Sequence, residues 1–435
     1  MGLSSDTRSS ESRLAAYVEG LTAALGHADR VVPFRSYCVG LLLPGARKSV
    51  EPMAARVAPE RVQAAHQSLH HFVAKADWSD DAVLAAVRTR VLPLIEQRGA
   101  IRGWMIDDTG MPKKGKHSVG VARQYCGQLG KQDNCQVAVT LSVANDHASL
   151  PLAHRLYLPQ AWADDPDRRA RAGVPDEIAF QTKPQIALAQ IRAALAAGVP
   201  LAPVLADAGY GIDTDFRDGI TELGLPYIVG IQSSTSLWPP GTEPLAPKPW
   251  SGRGRRTSLV RRDATHKPVS AKELAIGLPK RAWHRVTWRE GSNAPLASRF
   301  AAVRVHPGHR DYWRSMPRPE EWLLIEWPAG EPEPIKYWLA TLPETTPRRA
   351  LVNLAKLRWR IERDYQDLKQ ELGLGHYEGR GWRGFHHHAT LCIAAYGFLI
   401  AERAAIPPSA EHNSPSLKAP ALPEGFRPRG TPNST

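Results

Sequence analysis

Asp108 closes an apolar run in "WMIDDTG", Asp207 ends another in "VLADAGYG", and Glu362 stands between Arg358 and Lys369 in "LRWRIERDYQDLKQELGL". A carboxylate held at the end of a buried strand is costly unless a cation or hydrogen-bond donors satisfy it. Three brought together repel one another and ask for a divalent cation, and oxygen-only ligands suit Mg²⁺ or Mn²⁺. Two such ions about 4 Å apart can activate a water or a 3′-hydroxyl and stabilise the leaving oxygen of a phosphodiester. Taken singly, each acid reads as well as a helix cap or a loop carboxylate.

The elements that must position these acids are legible in the same stretches. Read as a helix at about 100° per residue, Arg358, Glu362 and Lys369 fall within about 40° of one another. Leu354, Ile361, Leu368 and Leu372 line an apolar stripe beside them. A solvated salt-bridge ladder is the plain alternative. The helix is expected to run through "ETTPRRALVNLAKLRWRIERDYQDLKQELG", with Thr346 as N-cap, Pro347 at the first helical position and Gly373 as the stop. Upstream, "RGWMIDD", "NCQVAVTLSVAN" and "LPLAHRLYLP" read as strands, "KPQIALAQIRAALAAGV" as a helix and "LAPVLADAGYG" as a buried strand. A helix in "DTDFRDGITELG" and a strand in "LPYIVGIQ" follow. That order specifies an α/β fold with a mixed sheet.

The 435 residues suffice for two or three domains, and a hydrophobic fraction of 43% is that of a globular protein. Residues 1–98 carry helical signals, with Ser79 as the N-cap of "SDDAVLAAVRTRVLPLIEQ", and read as a helical DNA-binding domain. Its Arg35, Arg47, Lys48, Arg56 and Arg61 could face DNA or simply solvent. Residues 99–232 read as the first part of the core, 233–343 as a β-rich insertion dense in Pro, Gly, Trp and Arg, and 344–405 as the long helix and a buried helix after it. The Pro- and Ser-rich tail, 406–435, reads as disordered. No apolar run reaches the ~20 residues that cross a bilayer, and no signal-peptide core is present, so a soluble cytoplasmic protein is expected. Four scattered cysteines without a CxxC pair argue against zinc and disulfides. A net charge of +13 favours a polyanionic partner.

With these motifs in place the chain resembles the DDE transposases of bacterial insertion sequences, which have an RNase H-like core. Their pattern is Tyr, two residues, Arg, three residues, Glu, six residues, Lys. Arg358, Glu362 and Lys369 match it, with Ala355 in the place of the Tyr. "IDDTGMPKKGKHSVGVARQYCGQLGKQDNCQVAVTLSVAN" and "EGRGWRGFHHHATL" resemble most closely the branch called insertion-sequence family 701. The resemblance implies an RNase H-like mixed sheet with a β-rich insertion before the catalytic helix. Asp108, Asp207 and Glu362 then act as catalytic and metal-binding residues. It implies Mg²⁺, with Mn²⁺ able to substitute, and cleavage of element ends followed by joining of the 3′-hydroxyl to target DNA. The implied partners are double-stranded DNA and a second copy of the chain, in a nucleoid-associated cytoplasmic setting. Asp107 is the rival to Asp108 and, as its neighbour on a strand, is expected on the opposite face.

Arg358 and Lys369 are the expected phosphate contacts of the catalytic helix. Lys113, Lys114 and Lys116 read as phosphate contacts or as a solvated hairpin tip. Arg253, Arg255, Arg256, Arg261 and Arg262 form a basic run suited to a DNA backbone. Trp338 reads as core packing or, by the resemblance, as a base-stacking residue. His386, His387 and His388 read as packing and phosphate contacts. Two rival functions stand: a nuclease of the same fold that does not join strands, and an inactive DNA-binding derivative.

Overall fold

A computed structural model describes residues 9–289 and 294–405. In chain order the helices α1 (Ser10–Glu19), α2 (Val31–Leu42), α3 (Val50–Val57), α4 (Val62–Ala74) and α5 (Asp80–Glu96) come first. Strands β1 (Gly103–Pro112), β2 (Ala122–Cys126), β3 (Lys131–Ala144) and β4 (Ser149–Leu156) follow, then helices α6 (Gln160–Ala163), α7 (Pro166–Ala172) and α8 (Lys183–Ala196). Next are β5 (Val204–Ala206), α9 (Ala208–Gly211), α10 (Thr214–Glu222), β6 (Tyr227–Ile231), β7 (Ser236–Trp238), β8 (Val269–Ser270) and α11 (Ala271–Gly277). The chain continues through β9 (His284–Arg289), β10 (Leu296–Pro307), β11 (Glu321–Trp327) and β12 (Lys336–Ala340). It closes with α12 (Arg348–Leu357), α13 (Trp359–Gln370) and α14 (Trp382–Ala405). Two compact units share these elements: residues 9–101, 107–194 and 360–405 in the first, and 102–106, 195–289 and 294–359 in the second. They cut across the expected segments, because the N-terminal helices share a unit with α13 and α14.

In the first unit α14 is apolar on nearly every side and is buried along its length, as such a helix must be. α1, α2, α4 and α5 contribute Leu14, Val18, Phe34, Tyr37, Phe72, Val87 and Val91 to the core around it. Arg13 grips Glu402 through two bonds of 2.6 and 2.8 Å, which fixes the N-terminal helix to the end of α14. Ser79 caps α5 by accepting from the Ala82 amide, with Asp80 and Asp81 in the first turn. β2, β3 and β4 form an antiparallel ribbon, with a register shift at Leu141/Ser142.

In the second unit the opening half of β1 pairs in parallel with β5, Met105 opposite Leu205, and β5 pairs in parallel with β6. β12 then joins β6 antiparallel, Trp338 opposite Gly230, and β11 and β10 continue the meander. The sheet is mixed, as expected. The β-rich insertion is not a separate sheet: its strands extend the core sheet through the β12–β6 pairing. One expectation fails. The long helix is interrupted at Arg358, whose N–H turns to the Lys356 carbonyl, so α12 and α13 are separate elements. Pro347 rather than Thr346 is the N-cap residue. Gly373 does provide the stop, in a left-handed conformation at φ 68°.

Candidate active site

In the first unit β1 carries Asp107 and Asp108, half-buried in a strand whose other residues up to Met111 are buried. The Asp108 amide donates to Asp107 Oδ1 at 2.9 Å, so part of the Asp107 carboxylate serves the backbone. Asp108 Oδ2 forms an ion pair with Lys183 Nζ, a partner that no motif in the sequence announced. Lys183 opens α8, whose start is fixed by a reciprocal pair of bonds. The Thr182 amide donates to Gln185 Oε1 at 2.9 Å, and the Gln185 amide to Thr182 Oγ1 at 3.3 Å. That Thr-x-x-Gln spacing was the available signal.

In the second unit Asp207 directly follows β5 and caps α9, its Oδ1 accepting from the amides of Gly209 at 2.9 Å and Tyr210 at 3.4 Å. The cap orients the carboxylate and leaves Oδ2 turned away from these bonds. α9 lies tightly on β6: a Cβ on Gly230 would stand 2.7 Å from the Ala208 nitrogen, and one on Gly211 would overlap the Gly230 carbonyl. Both positions need glycine for this close approach, which sets where Asp207 ends up.

Glu362 is exposed, in the first turn of α13, where a carboxylate also complements the helix dipole. Three bonds inside the first unit hold this helix. Lys369 Nζ donates to the Gly110 carbonyl of β1 at 2.8 Å. Burial holds its ammonium below the ordinary lysine range. Asp364 is fully buried and accepts from Ser149 of β4 and, at 2.9 Å, from Tyr396 of α14. Desolvation raises its carboxyl to about 6, and burial does the same for Asp367.

Arg358 follows the end of α12, whereas Glu362 and Lys369 share α13, so the three do not belong to one continuous helix. Lys113 donates to the Tyr377 carbonyl at 2.8 Å, while Lys114 and Lys116 are exposed in a turn held by Asn134 bonds to the Lys113 and Gly115 carbonyls. The basic run divides by role. Arg261 bonds the Ala246 carbonyl at 2.9 Å and Arg262 pairs with buried Asp311, whereas Arg253, Arg255 and Arg256 are exposed. Trp338 is half-buried, its ring 5.5 Å from Lys356 Nζ. Lys48 does not face outward. Its ammonium is buried on the carbonyls of Leu41 and Leu43, closing the end of α2, and desolvation lowers it to about 8. His387 and His388 are buried and His386 is largely so, and desolvation lowers all three to about 4. They serve packing, not phosphate contacts.

A family model described as "DDE superfamily endonuclease" matches residues 20–295, more than half of the chain. The chain belongs to the DDE superfamily endonucleases. It is also 33% identical over 202 residues to a probable transposase for insertion sequence element IS701 from Microchaete diplosiphon. That match covers 46% of this chain and 49% of the relative, so it spans about half the length of the curated protein. The mixed sheet flanked by helices is the RNase H-like fold of these DDE endonucleases. Among the described residues no helix is long and apolar enough to cross a membrane.

DDE endonucleases generally use divalent metal ions. The donor chemistry here fits one, since the expected ligands are hard carboxylate oxygens without thiolate or imidazole. Among the described residues no three His, Cys, Asp or Glu side chains stand close enough to hold an ion together. Asp108 is paired with the Lys183 ammonium.

Proposed function

We propose that this protein is an insertion-sequence transposase that cleaves element ends and joins the 3′-hydroxyl to target DNA, with Asp108, Asp207 and Glu362 as its catalytic acids. The observation that carries the reading is the family match together with the topology beneath it. β1 and β5 are parallel neighbours at Met105 and Leu205, the one strand carrying Asp108 further along and the other ending at Ala206, just before Asp207. Asp108, Asp207 and Glu362 would hold Mg²⁺ or Mn²⁺, which when bound supplies activation of the nucleophile and stabilisation of the leaving oxygen. The chain's own groups do the rest. The Gly209 and Tyr210 amides orient Asp207, and Lys369 and Asp364 fix the helix that carries Glu362.

Lys114, Arg255 and Arg256 contact DNA phosphates, joined by Arg358 at the junction of α12 and α13. These contacts position the duplex without reading its sequence. Lys113 and Lys369 each spend an ammonium proton on a backbone carbonyl, so they serve DNA less than exposed Lys114, Arg255 and Arg256 do. Trp338 offers an aromatic face to an unstacked base. Two copies of the chain assemble on paired ends, in the cytoplasm and on the nucleoid.

The second reading, cleavage without joining, is favoured by the endonuclease description of the family model. A strand-transfer assay with a pre-cleaved end and a target plasmid separates the two. Joined product supports the transposase, and cleavage of end-bearing DNA with no joined product supports the nuclease.

A further inference from the structure

Lys183 is out of place by local rules. A cation in the first turn of a helix meets the positive end of the helix dipole, which disfavours it. The Thr182–Gln185 bonds fix the helix start, so the chain does not simply fray to relieve this. What offsets the cost is the ion pair with Asp108 Oδ2. The pair is open enough to exchange: the side chains are 31% and 24% exposed. The Lys183 ammonium also stands 5.9 Å from the centre of the Tyr157 ring, which gives the cation a second favourable neighbour when it leaves the carboxylate.

We infer that Lys183 is the resident counter-cation of Asp108, a positioning residue that keeps this carboxylate paired and aimed until a divalent ion displaces it. The inference rests on the reading of Asp108 as a metal ligand. An ammonium and a divalent cation compete for the same oxygen, so Lys183 weakens metal binding at the site while stabilising the metal-free protein. It acts as a threshold: the ion must displace the lysine from Asp108, and the ammonium is then free to meet a second anion such as a DNA phosphate.

The test is a Mn²⁺ titration of the full-length protein, followed by electron paramagnetic resonance of free Mn²⁺. Lys183→Met and Lys183→Gln are expected to bind Mn²⁺ roughly ten-fold more tightly than the parent, about 1.4 kcal/mol, and to melt at lower temperature in chelator. Lys183→Arg, which keeps the cation, is expected to bind no more tightly than the parent. Asp108→Asn is run beside them and is expected to weaken binding. A second measurement needs no variant: the rate at which an amine-acylating reagent modifies Lys183 in the parent, read by peptide mass, should rise when Mn²⁺ is added. Weakened binding in Asp108→Asn with unchanged or weakened binding in the neutral Lys183 variants overturns the inference alone. Parent-like binding in Asp108→Asn overturns the reading of Asp108 and the inference with it. An acylation rate indifferent to Mn²⁺ also overturns the inference.

Discussion

Lys369 Nζ lies 2.8 Å from the Gly110 carbonyl, a bond that ties the helix bearing Glu362 to the strand bearing Asp108. Removing a half-buried ammonium leaves its backbone carbonyl partner without that bond, at part of the desolvation penalty. Lys369→Met is therefore expected to lower the melting temperature by about 2–4 °C and to slow DNA cleavage. The slope of log K against log salt for DNA binding should stay as in the parent. A slope reduced by about one would instead assign Lys369 chiefly to a phosphate.

Asp207 does two jobs that substitution can separate. Asn keeps the cap on the Gly209 and Tyr210 amides but removes the charge, whereas Ala removes both. Asp207→Asn is expected to melt within about 0.5 kcal/mol of the parent, and Asp207→Ala to be about 1 kcal/mol less stable still, the usual worth of a cap. Both should abolish cleavage. Denaturant melts beside a plasmid-nicking assay read the two effects.

Asp364 predicts a pH dependence of stability. Its carboxyl is raised to about 6 by burial, above its value in an unfolded chain, so the folded state favours the protonated form. The stabilisation is fully present below about pH 4 and disappears as pH rises through about 6. The buried histidines, lowered to about 4, work oppositely and cost stability as pH falls. The informative quantity is thus the difference between the parent and Asp364→Asn, whose amide oxygen can still accept from Ser149 and Tyr396. The parent should become less stable relative to this variant between about pH 4 and 6, measured by thermal melts across that range.

The exposed tip of the basic run gives a prediction about salt. Arg255→Ala with Arg256→Ala should reduce the salt slope of DNA affinity by about 0.9 for each phosphate left without its arginine. Affinity should fall by a similar factor for end-containing and unrelated duplexes. Replacement of Arg262, which pairs with buried Asp311, should lower stability instead. Binding isotherms at several salt concentrations, with Ca²⁺ in place of Mg²⁺, check both.

Much of the scaffold is readable because its signals are local. β1, β3, β5 and β6 announce themselves as apolar runs, Ser79 as a cap, and Gly373 as a stop. The interruption at Arg358 is not readable, since the helical pattern runs unbroken through "LAKLRWRIERD" and no proline or glycine marks the place. Strand β2 escapes notice because "ARQYC" alternates polar and apolar residues too briefly to stand out from the surrounding turn residues. Lys48, His387 and His388 depart from expectation for one reason: polar side chains default to the surface, and only the fold reveals carbonyls waiting inside. The Lys183–Asp108 pair joins residues distant in sequence, a relationship that no spacing rule encodes. The expected disordered tail, 406–435, and the truncation it invites lie outside the described residues.

The most direct measurement is cleavage of supercoiled plasmid carrying the element's ends, in Mg²⁺ and in chelator, by the parent and by Asp108→Asn, Asp207→Asn, Glu362→Gln and Asp107→Asn. The account predicts metal-dependent nicking by the parent, background cleavage by the first three variants despite parent-like DNA affinity, and retained cleavage by Asp107→Asn. Full cleavage in chelator, or parent-like cleavage by any of the first three, would contradict it.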